Sequence, residues 1–244
     1  MNRTRKTVLL LVEGIHDETA LKPALKTVEK KMNIRFRIME GDPLADDRNK
    51  GKSAKQIAGT MVSEFRNRYK LRPSDILFVA QLTDTDGVFI PDNKIIIDLD
   101  IESPDGKEYT IESIKVKDKD KQQKMKDRNK MKKEHLNALS SINKIATRPY
   151  QIFYVSRELE HVLHNINSVL STDEKNKKAS EFSEKYSSFA LLKKFFNNDD
   201  ILVSGDYKQT WDYIKQKNHS LERNSNFHLF LKRVEEESEK LNSE

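Results

Sequence analysis

The chain contains no cysteine, only seven glycines and six prolines, and no long apolar run. Without cysteine there can be no disulfide and no cysteine-based zinc site, which is typical of a protein from a reducing cytoplasm. The apolar run Val8 to Val12 is too short for the core of a signal peptide, and no stretch approaches the length of a membrane span. We therefore expect a soluble, cytoplasmic protein with no membrane partner.

Positive charge is in excess, and the excess is local. The formal net charge is +6, and the segment from Lys115 to Lys133 alone holds ten Lys or Arg against three Asp. A concentrated basic stretch suits a surface that binds a polyanion, although a solvated helix or linker without a partner remains the alternative. The candidate nucleic-acid ligands are Lys115, Lys117, Lys119, Lys121, Lys124, Lys126, Arg128, Lys130, Lys132 and Lys133.

The first part of the chain has the pattern strand, helix, strand, helix, strand. Continuous apolar runs at Thr7 to Val12 and Ile76 to Ala80 are typical of strands buried on both faces, and Ile34 to Met39 alternates between apolar and polar residues. This order predicts parallel strands joined by right-handed crossovers. Ligand sites in open sheets of this kind lie at the carboxyl ends of the strands.

Two further regions follow. Alternation from residue 94 and the turn signal Asp105-Gly106 predict an inserted antiparallel hairpin over about residues 94–116. A basic helix over about 117–144 and a last strand from Tyr150 to Val155 come next. Only helical spacing continues after Ser156. We therefore predict an α/β domain over residues 1–156 and an α-helical C-terminal region over 157–244.

Three acidic residues stand at the ends of two predicted strands. Glu13 follows the first strand, and Asp84 and Asp86 follow the third. Alternate residues of an extended segment project to the same side, so both aspartates can face one ion. Mg²⁺ prefers oxygen ligands, and a bound metal polarises a phosphodiester and activates water. The pattern predicts a site for one or two Mg²⁺ or Mn²⁺ ions.

These residues also carry a family resemblance. The sequences LVEG at 11–14, followed by Asp17, and TDTDG at 83–87 resemble the two signature motifs of the Toprim domain. Topoisomerases, bacterial primases, OLD-family nucleases and small nucleases of phage defence share that fold. The resemblance covers about residues 6–156. It implies a Toprim-type open parallel sheet flanked by helices, with the hairpin as an insertion.

The resemblance also assigns roles. Glu13 would act as general acid/base or metal ligand, and Asp84 and Asp86 would be the paired metal aspartates. Asp17 matches a second acidic position used by nuclease members, although a helix N-cap explains it equally well.

The segment RELEHVL at 157–163 resembles an element of small Toprim effectors that work with an AAA-type ATPase partner in phage defence. Either Glu158, slightly favoured, or Glu160 would then complete a second metal site. The alternative is an ordinary helix start, where acidic groups are favourable. The sequence has no G-x-x-x-x-G-K-S/T loop, so any ATP dependence must come from another chain. The helical region offers faces for such a partner or for a homodimer.

Together these features predict a metal-dependent nuclease that cuts DNA or RNA, acting as a phage-defence effector through abortive infection. The alternative is a non-catalytic Toprim module that binds nucleic acid or a partner protein. The acidic set favours the nuclease, because a binding module has no reason to keep Glu13, Asp84 and Asp86 together.

Overall fold

The main sheet has five strands and is mixed. The computed structural model describes residues 5–29, 31–40 and 51–243. In spatial order the strands are β2 (Ile34–Glu40), β1 (Lys6–Val12), β3 (Ile76–Asp84), β8 (Arg148–Val155) and β7 (Lys144–Ile145). The first four are parallel, as predicted, but β7 is antiparallel to β8. The cause is a tight turn at Ala146 and Thr147, whose φ angles of 46° and 68° reverse the chain.

Helices cover both faces of this sheet. The helices that connect its strands are α1 (Ile15–Lys26), α2 (Ala54–Tyr69) and α3 (Lys119–Ser140). Along β1, Val8 and Leu10 join one hydrophobic core, whereas Leu9 and Leu11 join the core on the opposite face. The continuous apolar runs are therefore explained by burial on both sides, and the α/β architecture is confirmed.

The last part of the chain carries the predicted helices. They are α4 (Leu159–His164), α5 (Thr172–Lys185), α6 (Phe189–Phe196), α7 (Tyr207–Ile214) and α8 (Phe227–Ser243). Phe182, Phe196 and Phe230 from these helices share one core with Phe78 and Phe153 of the main sheet. Four of these helices, α4, α5, α6 and α8, thus pack on one face of the sheet, whereas α7 contributes Trp211 and Ile214 to the core on the other face. No helix in the described part of the chain is long and apolar enough to cross a membrane.

The insertion between β3 and α3 differs from the predicted hairpin. It forms a second sheet of three short strands, β4 (Ile95–Ile97), β5 (Lys107–Tyr109) and β6 (Ile114–Val116), in the order β4-β6-β5. The hairpin joins β5 to β6, whereas β4 pairs with β6 in parallel. The prediction that the segments before and after Asp105-Gly106 pair antiparallel is therefore wrong. Apolar alternation identifies an extended segment but does not identify its partner.

Candidate functional site

Glu13 ties the end of β1 to the end of β3. One carboxylate oxygen, Oε1, accepts a hydrogen bond from Thr83 Oγ1 at 2.6 Å and another from the Asp84 backbone N–H at 3.0 Å. The two strands are direct neighbours in the sheet. Their parallel direction therefore places Glu13 beside Asp84 at the carboxyl edge, where the sequence predicted a site.

Asp86 lies in a turn beyond the strand. Its φ of 50° is left-handed, and its N–H donates to the Arg157 carbonyl at 2.8 Å. Gly87 follows with a φ of 67°, where a Cβ would lie 2.6 Å from a Leu221 methyl carbon. The prediction that Asp84 and Asp86 share one face of an extended segment is therefore wrong, because this turn, rather than the pleat of a strand, sets the direction of Asp86.

Lys132 lies between the acidic residues and is only 1% exposed. Its Nζ is 2.6 Å from Asp86 Oδ2 and 3.2 Å from Glu13 Oε1. Arg128, one helical turn earlier on α3, places Nη2 3.4 Å from the same Asp86 oxygen. The predicted surface role of Lys132 in nucleic-acid binding is thus corrected to that of a buried partner of two carboxylates.

A signal for this role was present in the sequence. The buried residues of α3 are Met125, Asn129, Lys132, Leu136 and Leu139. Their spacings of four, three, four and three residues define one helical face. Because Lys132 falls on that face, it needs a charged partner in the interior.

The two aspartates of this site differ in electrostatic environment. Burial raises the pKa of Asp84 well above its usual value, and the charges of Glu13, Asp17 and Asp86 raise it further. No described residue donates a hydrogen bond to the Asp84 carboxylate. Burial also favours the neutral form of Asp86, but Lys132 and Arg128 outweigh it and lower the pKa of Asp86 to about 2. Lys132 acts on both aspartates, but only at Asp86, which it contacts directly, does it help to outweigh burial.

Asp17 holds the turn that carries Glu13. Its Oδ2 accepts hydrogen bonds from the backbone N–H groups of Glu13 and Gly14, both at 3.0 Å. Burial raises the pKa of Asp17 to about 7, against the effect of the Gly14 hydrogen bond, and Glu160 adds to the increase. The N-cap of α1 is Gly14 rather than Asp17. Asp17 caps the helix from its first turn, where its side chain reaches back to the backbone before the helix.

Glu158 and Glu160 form a second acidic pair that is also bridged by a lysine. Lys175 Nζ, on α5, lies 3.4 Å from Glu158 Oε2 and 3.3 Å from Glu160 Oε1. Both carboxylates are thereby partnered by one ammonium group. Their predicted role in a second metal site stays a prediction.

The predicted metal ligands are thus distributed over two lysine-bridged pairs, with Asp17 and Asp84 beside them. Within residues 5–29, 31–40 and 51–243, no three acidic or histidine side chains are grouped so that they could hold a metal ion. In the first pair the Lys132 ammonium contacts both Glu13 and Asp86.

The predicted nucleic-acid ligands lie in several environments. Lys115 belongs to β6 and pairs with Asp98 at 2.8 Å. Lys121, Lys124 and Arg128 line a cavity of about 190 Å³. The half-buried Lys126 and the exposed Lys117, Lys119, Lys130 and Lys133 lie outside the lining of that cavity. The basic segment therefore presents its charges in several directions.

Lys107 also lines the cavity, and the basic segment did not indicate it because it lies earlier in the chain. No local pattern marks it, since only the fold of the insertion brings β5 to α3. No family model, curated protein or solved structure matches this chain. The function proposed below is therefore inferred from the chemistry and geometry of the site.

Proposed function

We propose that this chain is a metal-dependent nuclease that hydrolyses phosphodiester bonds of DNA or RNA at a Toprim-type site. The observation that supports this most is the hydrogen-bonded junction of the β1 and β3 ends. There Glu13 accepts from Thr83 and from the Asp84 backbone, with Asp86 held nearby. Carboxylates at adjoining parallel strand ends are suited to a hard cation that binds phosphate oxygens.

The chemistry of the acidic residues fits Mg²⁺ or Mn²⁺. The Asp84 carboxylate is repelled by Glu13, Asp17 and Asp86, and it accepts no hydrogen bond from a described residue. A divalent cation held by Asp84, Glu13 and Asp86 would remove this repulsion. Such an ion supplies Lewis-acid polarisation of a phosphodiester and a water of lowered pKa.

Lys132 has a defined part in this proposal. Its ammonium now neutralises Glu13 and Asp86, so a metal ion shared by these carboxylates requires Lys132 to release at least one of them. The displaced ammonium would remain beside the site, where it can neutralise charge on a bound phosphate. Asp17, through the Glu13 and Gly14 N–H groups, keeps the Glu13 backbone in place.

Purified protein incubated with single- and double-stranded DNA and RNA tests the proposal. We expect cleavage with Mg²⁺ or Mn²⁺, none with EDTA, and loss of cleavage to background in Glu13→Gln and Asp84→Asn. Asp98→Asn is a matched control, because Asp98 is an acidic residue of the insertion that pairs with Lys115. Cleavage by Glu13→Gln at the wild-type rate would show that the site is assigned wrongly.

One observation favours the non-catalytic alternative. Lys132 provides the buried carboxylates with a cation from the chain itself, and no metal-ready group of three is present among the described residues. A module of this kind would bind nucleic acid or a partner without cutting. Tight binding of DNA or RNA, with no cleavage under any divalent metal, would identify it.

The role in phage defence and the AAA-type ATPase partner belong to the proposal as well. Arg157, which contributed to that resemblance, is 1% exposed, and its guanidinium bonds to Asn167. A partner would therefore contact the neighbouring helices rather than this arginine. Expression in a bacterium with and without the adjacent gene tests the role, and a chain harmless in both backgrounds and fully active alone would contradict it.

A further inference from the structure

We propose that Lys107, Lys121, Lys124 and Arg128 form a subsite for a single phosphate group of the nucleic-acid backbone, next to the carboxylates of the candidate active site. The inference rests on the proposed function, since it names the substrate contact beside that site. The proposal reduces the ten candidate nucleic-acid ligands of the basic segment to three and adds Lys107 from the insertion.

The size and charge of the cavity define its ligand. Its volume is about 190 Å³, and Met125 and Asp105 complete its lining. Pockets for whole small molecules usually begin at about 300 Å³, so this cavity suits a phosphate group better than an entire nucleotide. Four cationic side chains line the cavity together with one carboxylate, that of Asp105, which lies 3.5 Å from Lys107 Nζ. Outside the lining, Lys124 pairs with Asp120 at 2.7 Å and Arg128 with Asp86 at 3.4 Å. The net positive charge selects an anion.

One cationic side chain of the lining, Arg128, has hydrogen-bonding capacity left beside its ion pair with Asp86. The Nε and Nη2 atoms of Arg128 are buried and donate no hydrogen bond to a described residue, although Nη2 lies 3.4 Å from Asp86. Buried polar groups normally have a partner, and a guanidinium can donate two parallel hydrogen bonds to phosphate oxygens. Lys121 has no carboxylate partner among the described residues. A bound phosphate would therefore give Lys121 and the Arg128 guanidinium an anionic partner.

The direction of α3 connects this subsite to the acidic residues. Lys121, Lys124, Arg128 and Lys132 follow one another at spacings of three, four and four residues and so lie along one side of the helix. From Arg128 to Lys132 the helix advances about 6 Å. A strand whose phosphate occupies the cavity consequently has an adjoining linkage near Glu13 and Asp86, which Lys132 contacts.

Two double variants of the chain distinguish a specific phosphate subsite from diffuse electrostatic attraction. Lys121→Gln/Lys124→Gln removes two charges from the cavity. Lys130→Gln/Lys133→Gln removes two exposed charges from the opposite side of the same helix. With inorganic phosphate as the probe, we expect the melting temperature of the wild type and of the control to rise. We expect little or no rise in the cavity variant. An equal rise in all three proteins would overturn the proposal.

A fluorescent single-stranded oligonucleotide provides the second probe, titrated in EDTA at several salt concentrations. We expect the cavity variant to lose affinity on the order of tenfold more than the control and to reduce the salt slope by about 2. Equal losses in both double variants would overturn the subsite in favour of diffuse electrostatic binding. Because no cleavage occurs in EDTA, this outcome is independent of the Glu13→Gln test of the nuclease itself.

Discussion

Two lysines in this protein each bridge a pair of carboxylates, but they do so in different surroundings. Lys132 bridges Glu13 and Asp86 with contacts of 3.2 and 2.6 Å, and Lys175 bridges Glu158 and Glu160 with contacts of 3.4 and 3.3 Å. The Lys132 side chain is 1% exposed, whereas that of Lys175 is 27% exposed. Similar distances therefore describe interactions of different energy.

The reason is the solvent. Water screens the Lys175 pair, so either partner can be removed and the remaining charge stays hydrated. Lys132 has almost no contact with water, and its loss would remove the cation that contacts both Glu13 and Asp86, with Arg128 remaining beside Asp86. The pKa of Asp86 reflects the strength of this ion pairing, because Lys132 and Arg128 overcome the effect of burial and lower the pKa to about 2. Burial thus decides which bridge the fold requires.

The largest expected effect is the difference between two lysine substitutions. In EDTA, Lys132→Met should lower the free energy of unfolding by about 3–5 kcal/mol, because it removes one partner of a buried ion-pair network. Lys175→Met should lower it by about 1 kcal/mol or less. Urea unfolding measures both values. Equal effects of the two substitutions would show that burial does not determine the energy of these lysine bridges.

Asp17 should make stability depend on pH. Its folded pKa is about 7, above the usual 3.8, so the folded state holds a proton that the unfolded state has lost between these values. Stability contributed by this group is present below about pH 4 and is lost as the pH rises towards about 7. The slope should be at most about 1.4 kcal/mol per pH unit.

Asp17→Asn is the variant that isolates this dependence, since the amide oxygen can still accept from the Glu13 and Gly14 N–H groups. Urea unfolding at intervals from pH 4 to pH 7 should give a flatter profile for Asp17→Asn than for the wild type. Parallel profiles for the two proteins would show that Asp17 titrates normally.

Asp84→Asn should stabilise the metal-free protein while abolishing cleavage. The substitution removes a carboxylate that burial, Glu13, Asp17 and Asp86 all disfavour in its charged form. The gain in free energy of unfolding should be on the order of 1 kcal/mol at neutral pH. Thermal unfolding in EDTA measures it, and a clear loss of stability would mean that the Asp84 carboxylate is not under repulsion.

The smallest effect concerns the link between the two bridged pairs. Glu160 contributes to the raised pKa of Asp17, although burial is the larger cause. Glu160→Gln should therefore lower the pKa of Asp17 slightly, as read from the carboxyl carbon shift in an NMR titration. An unchanged titration curve would show that the pair bridged by Lys175 is electrically independent of the Glu13 turn.

Much of the candidate site follows from local sequence. The apolar runs before Glu13 and Asp84 indicate buried strands, and parallel neighbours necessarily bring their carboxyl ends to one edge. The Glu13–Thr83 hydrogen bond is consistent with that expectation. The position of Asp86 could not be predicted in this way, because it depends on a left-handed turn that is fixed by the Arg157 carbonyl.

Local sequence patterns were enough to predict the alternation of strands and helices, the helical character after residue 156, and the acidic residues at two strand ends. These features depend on periodicity and on chain direction, which neighbouring residues specify. The pairing of β4 with β6, the burial of Lys132 and the contribution of Lys107 to the basic cavity were decided only by the tertiary structure. Each of them brings together residues from separate elements, and such contacts depend on how whole helices and sheets pack, which no local pattern specifies.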